Sequence, residues 1–261
     1  MTFENTALLT DQYELTMVAA ALRQPIAHRS CVFEVFARRL PDGRRYGVVA
    51  GTGRVIDELA HFRFGDEEIA IVEKFLDAET VAWLRDYRFS GDIDGYREGE
   101  LYFPGSPILT VRAGFAEGVL LETLILSILN HDSAIASAAA RMVSAAGTRP
   151  IIEMGSRRTH ERAAVASSRA AYIAGVAATS NLEAARRYGV PSAGTAAHAF
   201  TLAFTGPGGP DEKAAFAAQI DALGVGTTLL VDTYDITAGV RNAIEVGGTG
   251  LGACLLYTSD A

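Results

Sequence analysis

Four polar side chains stand directly after short apolar runs in the second half of the chain. They are Glu153, Thr179, His198 and Asp232. From residue 150 onward, such apolar runs alternate with helical patterns over short links, which is typical of a parallel sheet or barrel. The carboxyl ends of the strands in these folds meet at one edge, where catalytic groups are found. We therefore expect these four side chains to lie at the strand edge that carries the chemistry.

The residue types at two of these positions suit phosphate or carboxylate chemistry. His198 follows the small residues of a predicted strand, where it is either a catalytic base or nucleophile or a hydrogen-bonded structural residue. Glu153 is followed by Arg157 and Arg158. A guanidinium can grip phosphate or carboxylate in a fork, although paired arginines are more often solvated surface.

A third position carries two carboxylates, Asp232 and Asp235. Asp235 stands where it would cap the next helix, and Asp232 is the better candidate for a functional group. The glycine-rich run at 248–253 fits a loose dinucleotide-binding pattern but follows a helical segment, so we interpret it as a helix-to-strand loop.

The elements that must position these groups follow from periodicity and from turn residues. Helices are predicted over residues 9–22, 117–146, 158–174, 181–188, 211–223 and 236–244, and one or two helices over residues 66–83. Strands are predicted over residues 31–36, 108–112, 150–153, 177–179, 191–197 and 227–231, and residues 92–100 are polar and turn-rich. The pattern predicts an α/β protein.

Composition excludes several classes of protein. The 261 residues are 49% hydrophobic and carry a net charge of −8, which suits a globular enzyme and not a general nucleic-acid binder. Two cysteines, Cys31 and Cys254, argue against a disulfide scaffold or zinc cluster. The sequence predicts neither a signal peptide nor a membrane span, and we expect a cytoplasmic protein.

Four segments in this order resemble the nicotinate phosphoribosyltransferases: residues 8–17, 153–158, 194–200 and 230–235. Residues 121–143 also resemble the long helix of that family. The similarity extends to about residue 253, and the ordered set is far more specific than any single segment.

The resemblance implies a fold, a reaction and cofactors. The family fold is an irregular, TIM-like α/β barrel with an α/β domain. By resemblance, residues 1–147 form the N-terminal α/β domain with the long linking helix, and residues 148–253 form an incomplete barrel. The implied reaction joins nicotinate to phosphoribosyl pyrophosphate, with Mg²⁺ and with ATP hydrolysis through a phosphohistidine, and gives nicotinate mononucleotide for NAD synthesis. The enzyme would be a homodimer and formally a ligase.

The resemblance also implies site residues. His198 matches the phosphorylated histidine, and Tyr13 matches the aromatic residue that stacks on the pyridine ring, across a dimer interface. Glu153 and Arg157, together with Thr195, lie in segments that line the substrate site. Asp232 lies near the ribose and metal region.

Two alternatives remain open, and one departure from the family is evident. A related nicotinamide or quinolinate phosphoribosyltransferase, or a non-catalytic barrel fragment, would share much of this pattern. The strand that holds the ribose in the family is absent after Gly252. Residues 254–261 resemble the translated end of a transposon adapter used in making sequencing libraries, and we expect them to be a non-native tail. We accordingly expect the 261-residue chain by itself to be inactive and poorly folded.

Overall fold

The computed structural model describes residues 5–256, which divide into two compact units on either side of the Ser192–Ala193 bond. The sequence predicted a domain boundary earlier, between residues 147 and 148. The residues that follow 147 pack with the first unit because Ala171 and Val176 share a small apolar cluster with Ala139 of the long helix. The assignment of residues 148–253 to one partial barrel therefore stays a prediction.

Unit 1 contains most of the helices and the largest sheet. Its helices are α1 (Gln12–Leu22), α2 (Thr52–Leu59), α3 (Asp66–Val72), α4 (Ala78–Asp86), α5 (Phe115–Val119), α6 (Glu122–Ala146), α7 (Glu161–Ile173) and α8 (Leu182–Tyr188). Its strands are β1 (Ser30–Phe36), β2 (Gly47–Val48), β3 (Asp92–Gly95), β4 (Leu101–Tyr102), β5 (Pro107–Gly114), β6 (Ile152–Glu153) and β7 (Ala178–Thr179).

Strand β5 is the centre of a three-stranded antiparallel sheet, with β1 on one side and β3 on the other. The predicted strands at 31–36 and 108–112 are confirmed. Residues 92–95 were predicted as part of a polar turn-rich segment and are instead the edge strand β3. Ile93 is the one apolar side chain of this short strand that packs against the core, so the pairing with β5, and not local propensity, determines its conformation.

The long helix α6 contributes a buried apolar face to the core of unit 1. The face predicted for it is buried, including Leu124, Ile128 and Leu129. Gly147 ends the helix with a φ of +61°, a conformation in which glycine is favoured. The predicted helix at 117–146 begins as the separate short helix α5, and Leu121 is the residue before α6.

The strands of the β-α segment pair in parallel, as predicted, but they are short. Strand β6 pairs with β7, and Thr179 forms a single parallel bridge with Ser192. The strand predicted at 191–197 was wrong beyond Ser192, because residues 193–197 make no ladder in the described part of the chain. The small residues there provide few side chains to pack.

Unit 2 contains α9 (His198–Leu202), β8 (Thr205–Gly206), β9 (Gly209–Pro210), α10 (Glu212–Leu223), β10 (Thr228–Leu230), α11 (Ile236–Gly247) and β11 (Ala253–Leu255). Phe216, Leu229, Val231 and Ala243 form its core. Strand β11 lies parallel to β10, so that Cys254 and Leu255 of the predicted tail belong to a strand. The predicted loop at 248–253 is confirmed as a helix-to-strand connection that begins with one 3₁₀ turn. Residues 257–261 of the tail lie outside the described residues.

Candidate active site

In unit 1, a carboxylate at the end of a strand is held by three hydrogen-bond donors. Glu153, at the end of β6, accepts hydrogen bonds from the Ser168 and Thr179 hydroxyls, both at 2.7 Å, and from the backbone N–H of Gly155. Ser168 and Thr179 are buried, with exposures of 1% and 0%. All three partners donate, so the carboxylate acts as the shared acceptor that ties the end of β6 to α7 and β7.

The turn that carries the arginine pair is built on this carboxylate. The bond from Gly155 N–H to Glu153 closes the chain into the 3₁₀ turn Gly155–Arg157. The hydroxyl of Ser156 accepts a hydrogen bond of 3.1 Å from Asn181, the residue that also caps α8. Arg157 ends this turn and is exposed. Its backbone is therefore positioned, while its guanidinium is open to solvent.

Tyr13 is the second residue of α1, and 46% of its surface is exposed to solvent. Partial desolvation raises the pKa of its hydroxyl, and the carboxylates of Glu122 and Glu14 raise it further against a hydrogen bond with Thr123. The ring is thus a neutral phenol with an accessible face. The start of α1 is held to the start of α6 by the next residue, the fully buried Glu14, which accepts 2.8 Å hydrogen bonds from the N–H groups of Asp11 and Thr123.

In unit 2, His198 and Asp232 face each other. His198 is the first residue of α9, and its Nδ1 lies 3.2 Å from the hydroxyl of Thr233. Its Nε2 lies 4.0 Å from a carboxylate oxygen of Asp232. The side chain of His198 is 43% exposed, whereas that of Asp232 is 8% exposed. The imidazole of His198 is therefore accessible to a ligand, while the carboxylate beside it is shielded from solvent.

Thr195 is tied to strand β10. Its hydroxyl donates to the backbone carbonyl of Thr228 and accepts a 3.3 Å hydrogen bond from the amide of Gln219. Gln219 is 5% exposed and also donates to the carbonyl of Thr228 at 2.9 Å. The segment before His198 is therefore anchored by side chains, although it forms no strand.

The end of β10 is fixed by two further features. Asp235 accepts a 2.8 Å hydrogen bond from the N–H of Ala238, which confirms its predicted role as the cap of α11. Gly239 of the same helix lies against β10, since a Cβ atom there would be 2.1 Å from the carbonyl oxygen of Val231. This close approach places the start of α11 directly beyond Asp232.

The structure therefore assembles the predicted residues in two groups. Glu153 and the Arg157 turn lie together in unit 1, with Tyr13 elsewhere on α1, whereas Thr195, His198 and Asp232 lie in unit 2. Ser168, Thr233 and Gln219 were not predicted as partners of these groups. A polar residue in the alanine-rich α7 was the available signal for Ser168, and Thr233 directly follows Asp232.

Comparisons with known proteins agree along almost the whole chain. Residues 8–130 match the model of the nicotinate phosphoribosyltransferase (NAPRTase) N-terminal domain. Over 256 residues the chain is 70% identical to nicotinate phosphoribosyltransferase pncB1 of Mycobacterium tuberculosis strain H37Rv, a match that covers 97% of this chain and 57% of that protein. Nearly the whole chain is similar to nicotinate phosphoribosyltransferases, and residues 8–130 match the N-terminal domain of that family.

Other nicotinate phosphoribosyltransferases are similar to this chain at lower identity. The Bacillus subtilis enzyme is 37% identical over 247 residues, which cover 93% of this chain and 49% of that protein. The crystal structure of human nicotinic acid phosphoribosyltransferase is similar with a TM-score of 0.80 and 26% identity, over 95% of this chain and 60% of that one. This chain thus spans about half the length of the curated relatives that it matches.

Two further features of the described residues concern metal ions and membranes. Residues 5–256 contain no group of three or more histidine, cysteine, aspartate or glutamate side chains arranged to hold a metal ion by themselves. None of the helices described has the length and apolar character needed to cross a bilayer.

Proposed function

We propose that the protein is a nicotinate phosphoribosyltransferase, which joins nicotinate to phosphoribosyl pyrophosphate and couples this to ATP hydrolysis. The products are nicotinate mononucleotide and pyrophosphate, for NAD synthesis. The high identity to a protein of that name supports the family activity. The observation that carries the assignment to residues is the His198–Asp232 pair, in which an accessible imidazole faces a shielded carboxylate.

His198 is the residue that takes the phosphoryl group from ATP. A nitrogen of the neutral ring attacks the γ-phosphorus, the bond from that phosphorus to the bridging oxygen breaks, and ADP leaves. The ring becomes positively charged as the N–P bond forms, and the carboxylate of Asp232 stabilises that charge. Thr233 holds the ring orientation through its contact with Nδ1.

The groups of unit 1 are assigned to the organic substrates. Nicotinate is a planar anion, so Tyr13 supplies a ring for stacking, and Arg157 supplies the cation for a carboxylate or phosphate. Glu153 positions the Arg157 turn through its bond to Gly155, and Thr195 lines the approach to His198.

Mg²⁺ is the metal ion expected to bind the pyrophosphate leaving group. This ion is commonly held by one or two carboxylates together with substrate phosphates, so a site without a full protein cage fits it. Asp232 is the shielded carboxylate beside His198 that would hold it. When bound, Mg²⁺ neutralises charge that develops on the departing pyrophosphate.

The finer architecture belongs to the same proposal. The two parallel strand pairs are parts of an irregular α/β barrel, and the protein acts as a homodimer in the cytoplasm. The exposed ring of Tyr13 supports the dimer, because an aromatic residue that is half exposed in one chain is available to the site of a second.

The test is the formation of mononucleotide from phosphoribosyl pyrophosphate, Mg²⁺ and ATP with nicotinate, nicotinamide or quinolinate as the base. It uses the 261-residue chain and a fusion to the part of pncB1 that the match leaves uncovered. Turnover of nicotinate at least tenfold above that of the other two bases, by either protein, is the expected result. A preference for nicotinamide or quinolinate would assign the protein to a related enzyme. No turnover by the fusion would favour a non-catalytic role.

A further inference from the structure

Asn181, which follows β7 in unit 1, bonds to three different parts of that unit. Its Oδ1 accepts a 2.9 Å hydrogen bond from the N–H of Ala184 and thereby caps α8. The other end of the amide group is therefore the Nδ2 donor, and it donates to the hydroxyl of Ser156 at 3.1 Å. The backbone N–H of Asn181 donates to the hydroxyl of Thr179 at 3.0 Å. One residue thus connects a helix, a strand and the turn that carries Arg157.

These bonds belong to a closed ring that passes through Glu153. The hydroxyl of Thr179 donates to Oε2 of Glu153 at 2.7 Å, and Oε1 of the same carboxylate accepts from the N–H of Gly155. Ser156 is the next residue in the chain, and its hydroxyl returns the ring to Asn181. The 3₁₀ turn is therefore held at two successive residues, by a carboxylate at the first and by an amide at the second.

The turn determines where the side chain of Arg157 begins. Arg157 directly follows Ser156, and its guanidinium is exposed to solvent. A long side chain loses conformational entropy when it binds a ligand, and a fixed backbone reduces the number of positions that it must give up. Bonds behind a binding residue therefore contribute to affinity even when they do not contact the ligand.

We propose that Asn181 is a positioning residue for substrate binding, which holds Ser156 so that Arg157 meets the carboxylate or phosphate of a substrate. The inference rests on the proposed function, in which Arg157 binds nicotinate or phosphoribosyl pyrophosphate. Asn181 acts through the turn in unit 1, whereas His198 lies in unit 2. Its loss should therefore change substrate affinity and leave the rate of turnover at saturation almost unchanged.

Four variants separate the bond to Ser156 from the cap of α8. Ser156→Ala removes the acceptor and leaves the cap intact, whereas Asn181→Ser keeps a good capping residue and removes the amide donor. Ser156→Thr keeps the hydroxyl and is the conservative variant. Ser127→Ala is the matched control, because it removes an exposed hydroxyl that donates to the carbonyl of Leu124 in its own helix.

The variants are made in the 261-residue chain and in the fusion to the part of pncB1 that the match leaves uncovered. Calorimetry gives the dissociation constants of nicotinate and of phosphoribosyl pyrophosphate with Mg²⁺, and the turnover assay gives KM and kcat. Each measurement is repeated in an Arg157→Ala background. Hydrogen exchange at the N–H of Arg158, which donates to the carbonyl of Gly155 at 2.8 Å, reports the turn itself without any need for activity.

Ser156→Ala and Asn181→Ser should each weaken binding of the substrate that Arg157 binds by about fivefold, as expected for one neutral hydrogen bond, with kcat within about twofold of the wild type. Both should speed exchange at Arg158, and the double variant should bind no more weakly than either single variant. Ser156→Thr and Ser127→Ala should behave as the wild type. In the Arg157→Ala background, none of the variants should weaken binding further.

Several results would overturn the positioning role. Binding may be the same in Ser156→Ala as in Ser127→Ala, or it may weaken equally with and without Arg157. A loss in Asn181→Ser that Ser156→Ala does not reproduce would mean that Asn181 acts only as the cap of α8. If the expected binding pattern is found but the fusion does not turn over nicotinate, the positioning role is supported and the proposed function fails.

Discussion

The hydrogen bonds from Ser168, Thr179 and Gly155 to Glu153 are here called the clamp. Replacement of Thr179 by valine tests how much this clamp contributes to the free energy of unfolding. Valine has nearly the same shape, so the fully buried site keeps its packing and loses only the hydroxyl. That hydroxyl donates to Glu153 at 2.7 Å and accepts from the N–H of Asn181 at 3.0 Å. The first bond involves a charge and contributes about 1.5–3 kcal/mol, and the second leaves an unpaired donor. We expect Thr179→Val to lower the free energy of unfolding by about 3 kcal/mol.

The assay is urea unfolding followed by tryptophan fluorescence. Trp83 is the single tryptophan of the chain and packs against the core of unit 1, so its signal reports the unit that contains the clamp. Thr179→Ser is the control, because it keeps the hydroxyl and loses one methyl group, at a cost of about 1 kcal/mol. If the valine variant is as stable as the wild type, or if the serine variant is as unstable as the valine variant, the Thr179 hydroxyl does not stabilise the fold through the clamp.

Three further perturbations have defined outcomes. Arg157→Ala should raise the Michaelis constant for nicotinate or phosphoribosyl pyrophosphate by more than about tenfold in the active protein. A change below about twofold for both substrates would mean that this arginine is a solvated surface residue that binds neither. Burial alone would raise the pKa of Glu98, but the paired guanidinium of Arg169 lowers it below its ordinary value of 4.5, so this pair should stabilise the fold above that pH and lose its effect as the carboxylate is protonated. Glu98→Gln should therefore cost about 3 kcal/mol at pH 7 and less as the pH falls through the lowered pKa of Glu98, and a loss that is independent of pH would contradict the ion pair. Gly239→Ala should speed hydrogen exchange in α10 and α11, because its Cβ would meet the carbonyl of Val231, whereas Gly208→Ala, at an open position, should not.

Helices and isolated strands were predictable where a local signal coincided with packing. The face of α6 was evident because Leu124, Ile128 and Leu129 recur at helical spacing and all become buried. The capping role of Asp235 followed from its place before a helix. These features depend on residues close together in the chain, which a single sequence displays.

Other features depended on partners distant in the sequence. Strand β3 is held by its register against β5, and its own aspartates predict a turn. The clamp on Glu153 joins hydroxyls that lie 15 and 26 residues away, and spacing alone gives no reason to choose those hydroxyls over others. The family resemblance predicted which segments matter, whereas the roles of Ser168, Thr233 and Gln219 required coordinates.

Labelling tests most directly whether His198 accepts a phosphoryl group from ATP. The protein is incubated with Mg²⁺ and ATP labelled at the γ-phosphate, as the 261-residue chain and as the fusion to the uncovered part of pncB1. We predict acid-labile label in the fusion, and its loss in His198→Asn with the fold intact by circular dichroism. Equal labelling of the wild type and of His198→Asn, or acid-stable label in both, would contradict the assignment.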